Sequence, residues 1–422
     1  MRGIQVSGQL PGDRMMKCGL LGRTLGHSYS PQIHAMLGSY SYELFEKEPE
    51  QLEDFLKSGD FTAINVTVPY KKTVIPYLDE LSPVAKKLGA VNTIVRRNGK
   101  LLGHNTDYFG FSMMVKESGF DPCGKKVLVL GSGGASSTAV TVLEELGANV
   151  IVISRSGENH YGNLNIHCDA AAIVNATPVG MYPKVCISPV DLHMFPQLEA
   201  VLDVIYNPAR TKLLLDAEMR SIPAVNGLLM LVAQAKEAAE WFSEDTINDA
   251  VISRIYHSLK GSMENIILIG MPGCGKSTIG HLLARKTGRK FVDADEALEQ
   301  SAGCTIPEIF SSRGENAFRE LETQTLAELG KQSGLIIATG GGCVTKDYNY
   351  PLLHQNGIIF WIQRDLSQLP IEGRPLSQAN RLADMYQVRK PLYETFADHT
   401  IDNDGSLETA VQSIIQILEE HI

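Results

Sequence analysis

The chain has 422 residues, a formal net charge of -10 at pH 7, 44% hydrophobic and 20% charged residues. This length gives two or three domains room for their own cores, the acidic balance argues against a nucleic-acid binder, and no apolar run approaches the ~20 residues of a membrane span. Residues 1–17 lack the apolar core and cleavage site of a signal peptide, the pair Met15-Met16 offers an internal start, and seven scattered cysteines, none spaced C-x-x-C, read as free thiols of a cytoplasmic protein.

The first predicted helix follows Gly26-His27-Ser28-Tyr29-Ser30-Pro31, with Ser30 as N-cap and Pro31 at the first helical position. The same geometry presents hydroxyls and free N–H groups to a carboxylate. In Asn65-Val66-Thr67-Val68-Pro69-Tyr70-Lys71, strand alternation puts Asn65 and Thr67 on one face, and Lys71 follows the Pro69 bend. Gly89-Ala90-Val91-Asn92-Thr93 and Gly103-His104-Asn105-Thr106-Asp107 come next. Taken singly, each is a turn tuned by Asn or Asp. Taken together, they put two amides, a lysine and an aspartate at strand ends beside a dinucleotide site. That is a polar pocket with an acid/base pair, suited to moving a proton while hydride adds to a carbonyl.

A boundary falls near 107–121. The predicted strand Lys126–Leu130 then leads into Gly131-Ser132-Gly133-Gly134-Ala135-Ser136 and a helix to Leu146, a first βα turn of dinucleotide type. The next strand, Val150–Ile153, ends at Ser154-Arg155, where an NAD site usually carries an acid for the ribose 2′-hydroxyl. Arg155 suits a 2′-phosphate, hence NADP; the competing reading is a solvated surface arginine. Further apolar runs at Ile173–Ala176, Val201–Ile205, Ile266–Ile269, Leu335–Ala338 and Ile358–Ile362 have no polar alternation, so they read as strands of parallel sheets in α/β layers. An amphipathic stretch from Ile247 to Leu259 runs out into Lys260-Gly261-Ser262, and a linker joining separately folding halves is expected at 258–264.

After the strand Ile266–Ile269 comes Gly270-Met271-Pro272-Gly273-Cys274-Gly275-Lys276-Ser277, then a helix from Thr278 to Lys286. This is the full G-x-x-x-x-G-K-[ST] phosphate loop in its strand–loop–helix setting. Backbone N–H groups cradle phosphate, Lys276 reaches the β/γ-phosphates, and Ser277 can ligate Mg²⁺. In Phe291-Val292-Asp293-Ala294-Asp295 an extended backbone would put both carboxylates on one face, although an Asp there can simply cap the next helix. Arg319 lies on a predicted helix, free to clamp a carboxylate or to pair with Glu315 at i,i+4. Thr339-Gly340-Gly341-Gly342 follows a buried strand and invites close approach by a ligand.

The first-half motifs resemble the shikimate dehydrogenase family over roughly Lys17 to Leu259. Asn175-Ala176-Thr177-Pro178-Val179-Gly180-Met181, Asp203-Val204-Ile205-Tyr206-Asn207-Pro208 and Asn226-Gly227-Leu228-Leu229-Met230-Leu231 leading to Gln234 belong to the same pattern. The resemblance implies that Ser28 and Ser30 hold a substrate carboxylate. It implies that Asn65, Thr67, Asn92 and Gln234 hold ring hydroxyls, that Tyr206 lines the site, and that Lys71 and Asp107 are the catalytic pair. Gly131, Ser132, Gly133, Gly134, Ala135, Ser154 and Arg155 would bind NADP(H), with Gly180 and Met181 near the nicotinamide. The family often carries Asn-Arg-Thr and a further basic residue four places after the arginine. This chain has Ser154-Arg155-Ser156 and Asn159.

Residues 264–422 resemble shikimate kinase. That implies Gly273, Cys274, Gly275, Lys276, Ser277 and Thr278 for ATP, with Ser277 and Asp293 in the Mg²⁺ shell. Asp295 would bind the substrate hydroxyls and take the proton. Arg319 and Arg389 would grip the carboxylate, Gly340, Gly341 and Gly342 would lie against the ring, and Arg374 would be the lid arginine meeting the transferring phosphate. The lid, about 366–380, is short. The expected architecture is an α/β substrate domain at 1–107 to which 236–259 returns, a Rossmann NADP domain at 108–235, the 258–264 linker, and a P-loop α/β domain of nucleoside-monophosphate-kinase type at 265–422. The expected function is bifunctional: 3-dehydroshikimate reduced to shikimate with NADPH, then shikimate phosphorylated with ATP and Mg²⁺. Partners are small molecules, with no nucleic acid and no membrane, and the oligomeric state is open. The alternative is a shikimate or quinate/shikimate dehydrogenase carrying a kinase-like regulatory binding module.

Overall fold

A computed structural model describes residues 16–26, 28–369 and 379–420. Arg374, most of the expected lid and the Met15 start lie outside the described residues. The chain divides into two compact units, one of Met1–Lys125, Ser132–Val152 and Leu229–Ile255, the other of Lys126–Gly131, Ile153–Leu228 and Tyr256–Ile422.

The first sheet contains β1 (Lys17–Gly22), β2 (Ser41–Glu46), β3 (Ala63–Val66), β4 (Glu80–Leu81), β5 (Thr93–Arg97) and β6 (Lys100–His104), in the order β2-β1-β3-β5-β6-β4. It is mixed: β1 is parallel to β2 and β3, while β5 runs antiparallel to β3 and β6. Register does the positioning. Asn65 of β3 pairs with Thr93 of β5, and Thr93 pairs with His104 of β6. Three motifs distant in sequence therefore end side by side, because cross-strand partners sit about 5 Å apart.

The second sheet holds β7 (Lys126–Leu130), β8 (Asn149–Ile153), β9 (Ala172–Asn175), β10 (Ala200–Asp203) and β11 (Ala224–Val225), in the order β11-β10-β9-β7-β8. This is a doubly wound parallel arrangement whose strand order reverses at β7 and β9, where such sheets take their ligands. Residues 154–171 form only a short 3-10 helix (Tyr161–His167) and one isolated bridge, Ser154 to His160, so β8 stays at the sheet edge.

The third sheet contains β12 (Asn265–Ile269), β13 (Phe291–Asp293), β14 (Ile336–Ala338), β15 (Gly357–Gln363) and β16 (His399–Asp402), all parallel, in the order β13-β14-β12-β15-β16. Ile266, Ile267, Leu268 and Ile269 of β12 are wholly buried. Each such side chain contributes roughly 1.5–3 kcal/mol of burial, which explains the unbroken apolar run. Asn265, equally buried, is satisfied: its amide donates to Gln332 O at 2.7 Å and its carbonyl accepts from Leu335 N at 2.8 Å.

The linker expected at 258–264 is not extended. A helix runs Ala250–Met263, Arg289 donates to the carbonyls of Gly261 and Glu264, and β12 begins at Asn265. Glycine and serine in the final turn are tolerated because the arginine satisfies carbonyls that a helix end leaves open. The second compact unit contains residues from both sides of this joint.

Candidate active sites

In the first unit Lys71, Asp107, Asn92, Asn65 and Gln234 belong to one connected network. Lys71 Nζ donates to Asp107 Oδ2 at 2.6 Å, and the other Asp107 oxygen accepts from Asn92 Nδ2 at 3.0 Å. Asn92 Oδ1 accepts from Thr106 N at 2.7 Å, and Asn105 Oδ1 from Asp107 N at 3.0 Å. These bonds fix the aspartate at the start of the helix Asp107–Glu117. Thr93 Oγ1 donates to Asn92 Oδ1 at 3.1 Å and accepts from Asn65 Nδ2 at 3.2 Å, so β5 links the two amides. Tyr42 O–H donates to Asn65 Oδ1 at 2.7 Å. Thr106 Oγ1 donates to Gln234 Oε1 at 3.3 Å. The helix Leu228–Ser243 approaches closely enough for this because Gly110 has no side chain: a Cβ there would lie 2.6 Å from Met230 O.

Two details differ from the sequence reading. The first helix is Ser30–Leu37, so Ser30 is its first helical residue rather than its N-cap, and Ser28 Oγ accepts from Ser30 N at 3.2 Å. Thr67 lies just past β3, in the turn where Tyr70 N donates to Thr67 O at 2.9 Å. A cavity of about 210 Å³ opens beside the pair, lined by Lys71, Asn105, Asp107, Gly134, Ser137 and Thr138 among others. The cavity is thus bounded by an ammonium, a carboxylate and the first turns of the helix Gly134–Glu145, whose exposed N–H groups favour an anion.

The remaining residues expected to meet a dinucleotide are placed as follows. Gly131 closes β7 with φ +107, and a Cβ there would sit 3.0 Å from Thr177 Cγ2 and 3.1 Å from Ala176 O. Only glycine fits that strand end at the switch point. Ser132 and Gly133 are exposed, and Gly133 occupies the N-cap without a capping side chain. Ala135 is half-buried in the following helix. Ser154 Oγ donates to Ser156 O at 2.6 Å and Arg155 is exposed. Asn159 Oδ1 is bonded to the His167 ring at 2.9 Å, so it braces the shortened crossover. Gly180 has φ +98, Met181 is 44% exposed, and Tyr206 follows β10 in the second unit.

The phosphate-loop site lies in the second unit. Gly273 and Gly275 have φ of +82 and +101, a backbone that L side chains avoid. Lys276 is buried, donating to Gly270 O at 2.9 Å and Met271 O at 3.0 Å. Cys274 is buried, whereas Ser277 and Thr278 are exposed at the start of the helix Lys276–Thr287. Ser277 Oγ donates to Asp293 Oδ2 at 2.7 Å, while Asp293 Oδ1 accepts from Asp295 N at 3.0 Å. Asp293 therefore both caps and faces the phosphate loop. Asp295 is not in extended backbone but in the first turn of the helix Ala294–Ala302. Burial, aided by the charges of Asp293 and Glu322, pushes its carboxyl up to about 6.

Arg319 makes the expected i,i+4 pair, donating to Glu315 at 3.3 Å, and donates more closely to buried Glu322 at 2.8 Å. Three glycines let these groups converge. A Cβ on Gly340 would lie 2.7 Å from Asp295 Oδ1 and 2.8 Å from Glu322 Oε1, and one on Gly342 2.3 Å from Arg319 Nη1. Arg389 and Tyr393 both donate to Gly341 O, Arg389 at 3.0 Å. Among the described residues no group of three or more His, Cys, Asp or Glu could hold a metal ion. The hydroxyl and carboxylate of Ser277 and Asp293 suit Mg²⁺, which typically takes one or two protein oxygens and completes its shell with phosphates and water.

Sequence reasoning missed Tyr42, Thr93 and Glu322. Glu322 had a signal: it stands at i+3 from Arg319 on a helix face otherwise apolar at Phe318 and Leu326. Tyr42 had none, since Ser41–Glu46 gives no alternation that marks one residue for the pocket.

The chain matches the family model described as shikimate dehydrogenase substrate binding domain over residues 20–94 and that described as shikimate kinase over residues 272–419. It is 35% identical over 264 residues to the shikimate dehydrogenase (NADP(+)) of Clostridium perfringens, covering 57% of this chain and 97% of the relative. Among solved structures it is similar to shikimate dehydrogenase 1 from Peptoclostridium difficile, with 39% identity, TM-score 0.54, and coverage of 58% of this chain and 98% of that one. It is also similar to the Thermus thermophilus enzyme solved with NADP(H) and shikimate, with 30% identity, TM-score 0.52, and coverage of 58% and 99%.

Proposed function

Because the chain belongs to the shikimate dehydrogenase family and continues into a shikimate kinase domain, we propose that it makes shikimate and then phosphorylates it. The observation that carries this reading is the presence, in one chain, of the Lys71–Asp107 pair at 2.6 Å and a complete phosphate loop facing Asp293 and Asp295.

In the first reaction NADPH, when bound, supplies hydride to the ketone of 3-dehydroshikimate. Lys71 gives its ammonium proton to the developing alkoxide, and Asp107, held from its other side by Asn92, aims that proton. Positioned proton transfer of this kind contributes typically ~10²–10⁴-fold. Ser28 and Ser30 hold the carboxylate; Asn65, Thr67, Asn92 and Gln234 hold the ring, with Tyr206 alongside. Arg155 meets the 2′-phosphate, while the loop 131–135, Ser154, Gly180 and Met181 seat the rest of the dinucleotide.

In the second reaction ATP, when bound, would supply the phosphoryl group, and Ser277 and Asp293 would hold a Mg²⁺ ion whose charge would offset that of the phosphates. Asp295 takes the proton of the attacking hydroxyl. A carboxyl near 6 is ionised at neutral pH yet far more basic than a solvated aspartate. Arg319 and Arg389 orient the substrate carboxylate, Gly340, Gly341 and Gly342 admit the ring, Lys276 follows the phosphates, and Arg374 meets the transferring group. The hydroxyl that the first site creates is the one the second phosphorylates. Functional boundaries at 107, 235 and 264 belong to the same proposal, as does a cytoplasmic location. Incubating the chain with shikimate and ATP-Mg²⁺ tests the kinase against a purely regulatory module: ADP release proportional to shikimate supports turnover, and its absence with shikimate binding intact refutes it.

A further inference from the structure

Within the second compact unit, two loops of the dinucleotide-binding sheet end on the kinase domain. Tyr182, directly after Met181, donates its hydroxyl proton to Gly330 O at 3.0 Å and accepts from Asn356 Nδ2 at 2.8 Å. Asn356 is buried, and its Oδ1 accepts from Ala209 N at 2.8 Å. Next along, Arg210 N donates to Gln355 O at 2.8 Å, and the guanidinium donates to His354 O at 3.0 Å and Gly357 O at 3.3 Å. The same guanidinium pairs with Glu264 and Glu218, each at 3.3 Å.

The two loops are also tied to each other. A Cβ on Gly180 would sit 3.2 Å from Thr211 Cβ, so the 175–182 loop rests on the residue after Arg210. Thr211 Oγ1 donates to Asp203 Oδ2 at 2.7 Å, Asp203 Oδ1 accepts from Asn175 Nδ2 at 3.0 Å, and Asn175 Nδ2 also reaches Val179 O at 3.2 Å. A continuous chain of contacts thus joins kinase residues 354–357 to the loop carrying Gly180 and Met181.

We propose that Tyr182 and Arg210 are positioning residues of the dehydrogenase, and that the kinase segment His354–Gly357 with Gly330 is the platform that holds the 175–182 loop ready for hydride transfer. This rests on the dehydrogenase reading above. The dependence runs one way. Gly357 pairs with Asn265, the first residue of β12, whereas the phosphate loop follows Ile269 at the opposite end of that strand. The platform therefore sits at the far end of the kinase sheet from its own site, and loosening it leaves phosphoryl transfer alone. The kinase domain is then a structural part of the reductase as well as a second enzyme.

The test uses full-length Tyr182→Phe, Arg210→Met and Arg210→Lys. Losing a hydrogen bond of ordinary strength corresponds to about five-fold in an equilibrium. Tyr182→Phe and Arg210→Met should raise the KM for NADPH or lower reductase kcat by about that factor or more. They should also speed hydrogen exchange of residues 175–187, while kinase kinetics and exchange of residues 266–280 stay as in the parent. Arg210→Lys, which keeps a charge and a donor, should recover part of the loss. Unchanged NADPH kinetics and unchanged exchange at 175–187 would overturn the proposal. So would an even rise of exchange through both units with parallel loss of both activities. A parent chain that does not reduce 3-dehydroshikimate would refute the functional reading instead, and the exchange comparison would still decide whether the platform holds the loop.

Discussion

Adding one methyl group at Gly342 should weaken the kinase's hold on shikimate. In Gly342→Ala the new Cβ would lie 2.3, 2.4 and 2.6 Å from the Nη1, Nη2 and Cζ atoms of Arg319. Those separations are about 1 Å short of ordinary contact. A free arginine would swing aside at little cost. Arg319 is not free: it is buried and bonded to Glu322 at 2.8 Å, with Glu315 on its other nitrogen. Moving it by about 1 Å breaks the contact with Glu322, a charge-assisted bond of about 1.5–3 kcal/mol, or displaces the guanidinium from the substrate carboxylate by a similar loss. The KM for shikimate should rise about ten- to a hundred-fold, with a smaller effect on the KM for ATP and none on 3-dehydroshikimate reduction. A coupled ADP assay across shikimate concentrations reads this directly. An unchanged KM for shikimate would show that Arg319 does not face the substrate.

Lys71→Ala should lower reductase turnover by ~10²–10⁴-fold with kinase turnover intact, and near-normal reduction would remove Lys71 from the proton transfer. Arg155→Ala should raise the KM for NADPH and spare that for NADH, since a charge-assisted contact to the 2′-phosphate is worth ~1.5–3 kcal/mol; equal effects on both would make Arg155 a surface residue. Kinase kcat should fall as pH drops through about 6, where the Asp295 carboxyl takes up a proton. The same raised carboxyl binds protons more tightly folded than unfolded, so its unfavourable contribution to stability grows as pH rises from about 4 to 6 and is complete above that. Asp295→Asn should therefore abolish phosphorylation yet raise Tm at pH 7.5 by calorimetry, and a lowered Tm would contradict a burial-raised carboxyl. Lys276→Ala should abolish ADP formation with reductase activity preserved; retained phosphorylation would show that Lys276 does not serve the phosphates.

The unbroken apolar runs marked the parallel strands well: Ile266–Ile269 falls inside Asn265–Ile269, and the phosphate loop follows where its spacing required. A buried parallel strand leaves a strong signal because both faces must be apolar. The mixed first sheet was less legible. Its candidate cluster depends on the register that sets Asn65 beside Thr93 and Thr93 beside His104, and register is a long-range property that no local pattern carries. Asp295 departed from strand alternation because Asp293 caps a helix one residue earlier than the extended reading allowed. The supposed linker looked loose because Gly261 and Ser262 are poor helix formers, but Arg289, far along the chain, supplies the partners that end the helix there. The joint built by Tyr182, Arg210 and Asn356 left no trace in sequence, since each of those residues also makes sense as an ordinary loop or turn residue.

The central claim is that one chain reduces 3-dehydroshikimate and passes the new hydroxyl to its own kinase. The direct measurement supplies 3-dehydroshikimate, NADPH and ATP-Mg²⁺ together and follows NADPH absorbance and ADP in one vessel. The account predicts NADPH consumption at once, ADP appearing after a lag, and no ADP when NADPH is left out. Reduction without ADP, or ADP that forms without NADPH, would contradict it.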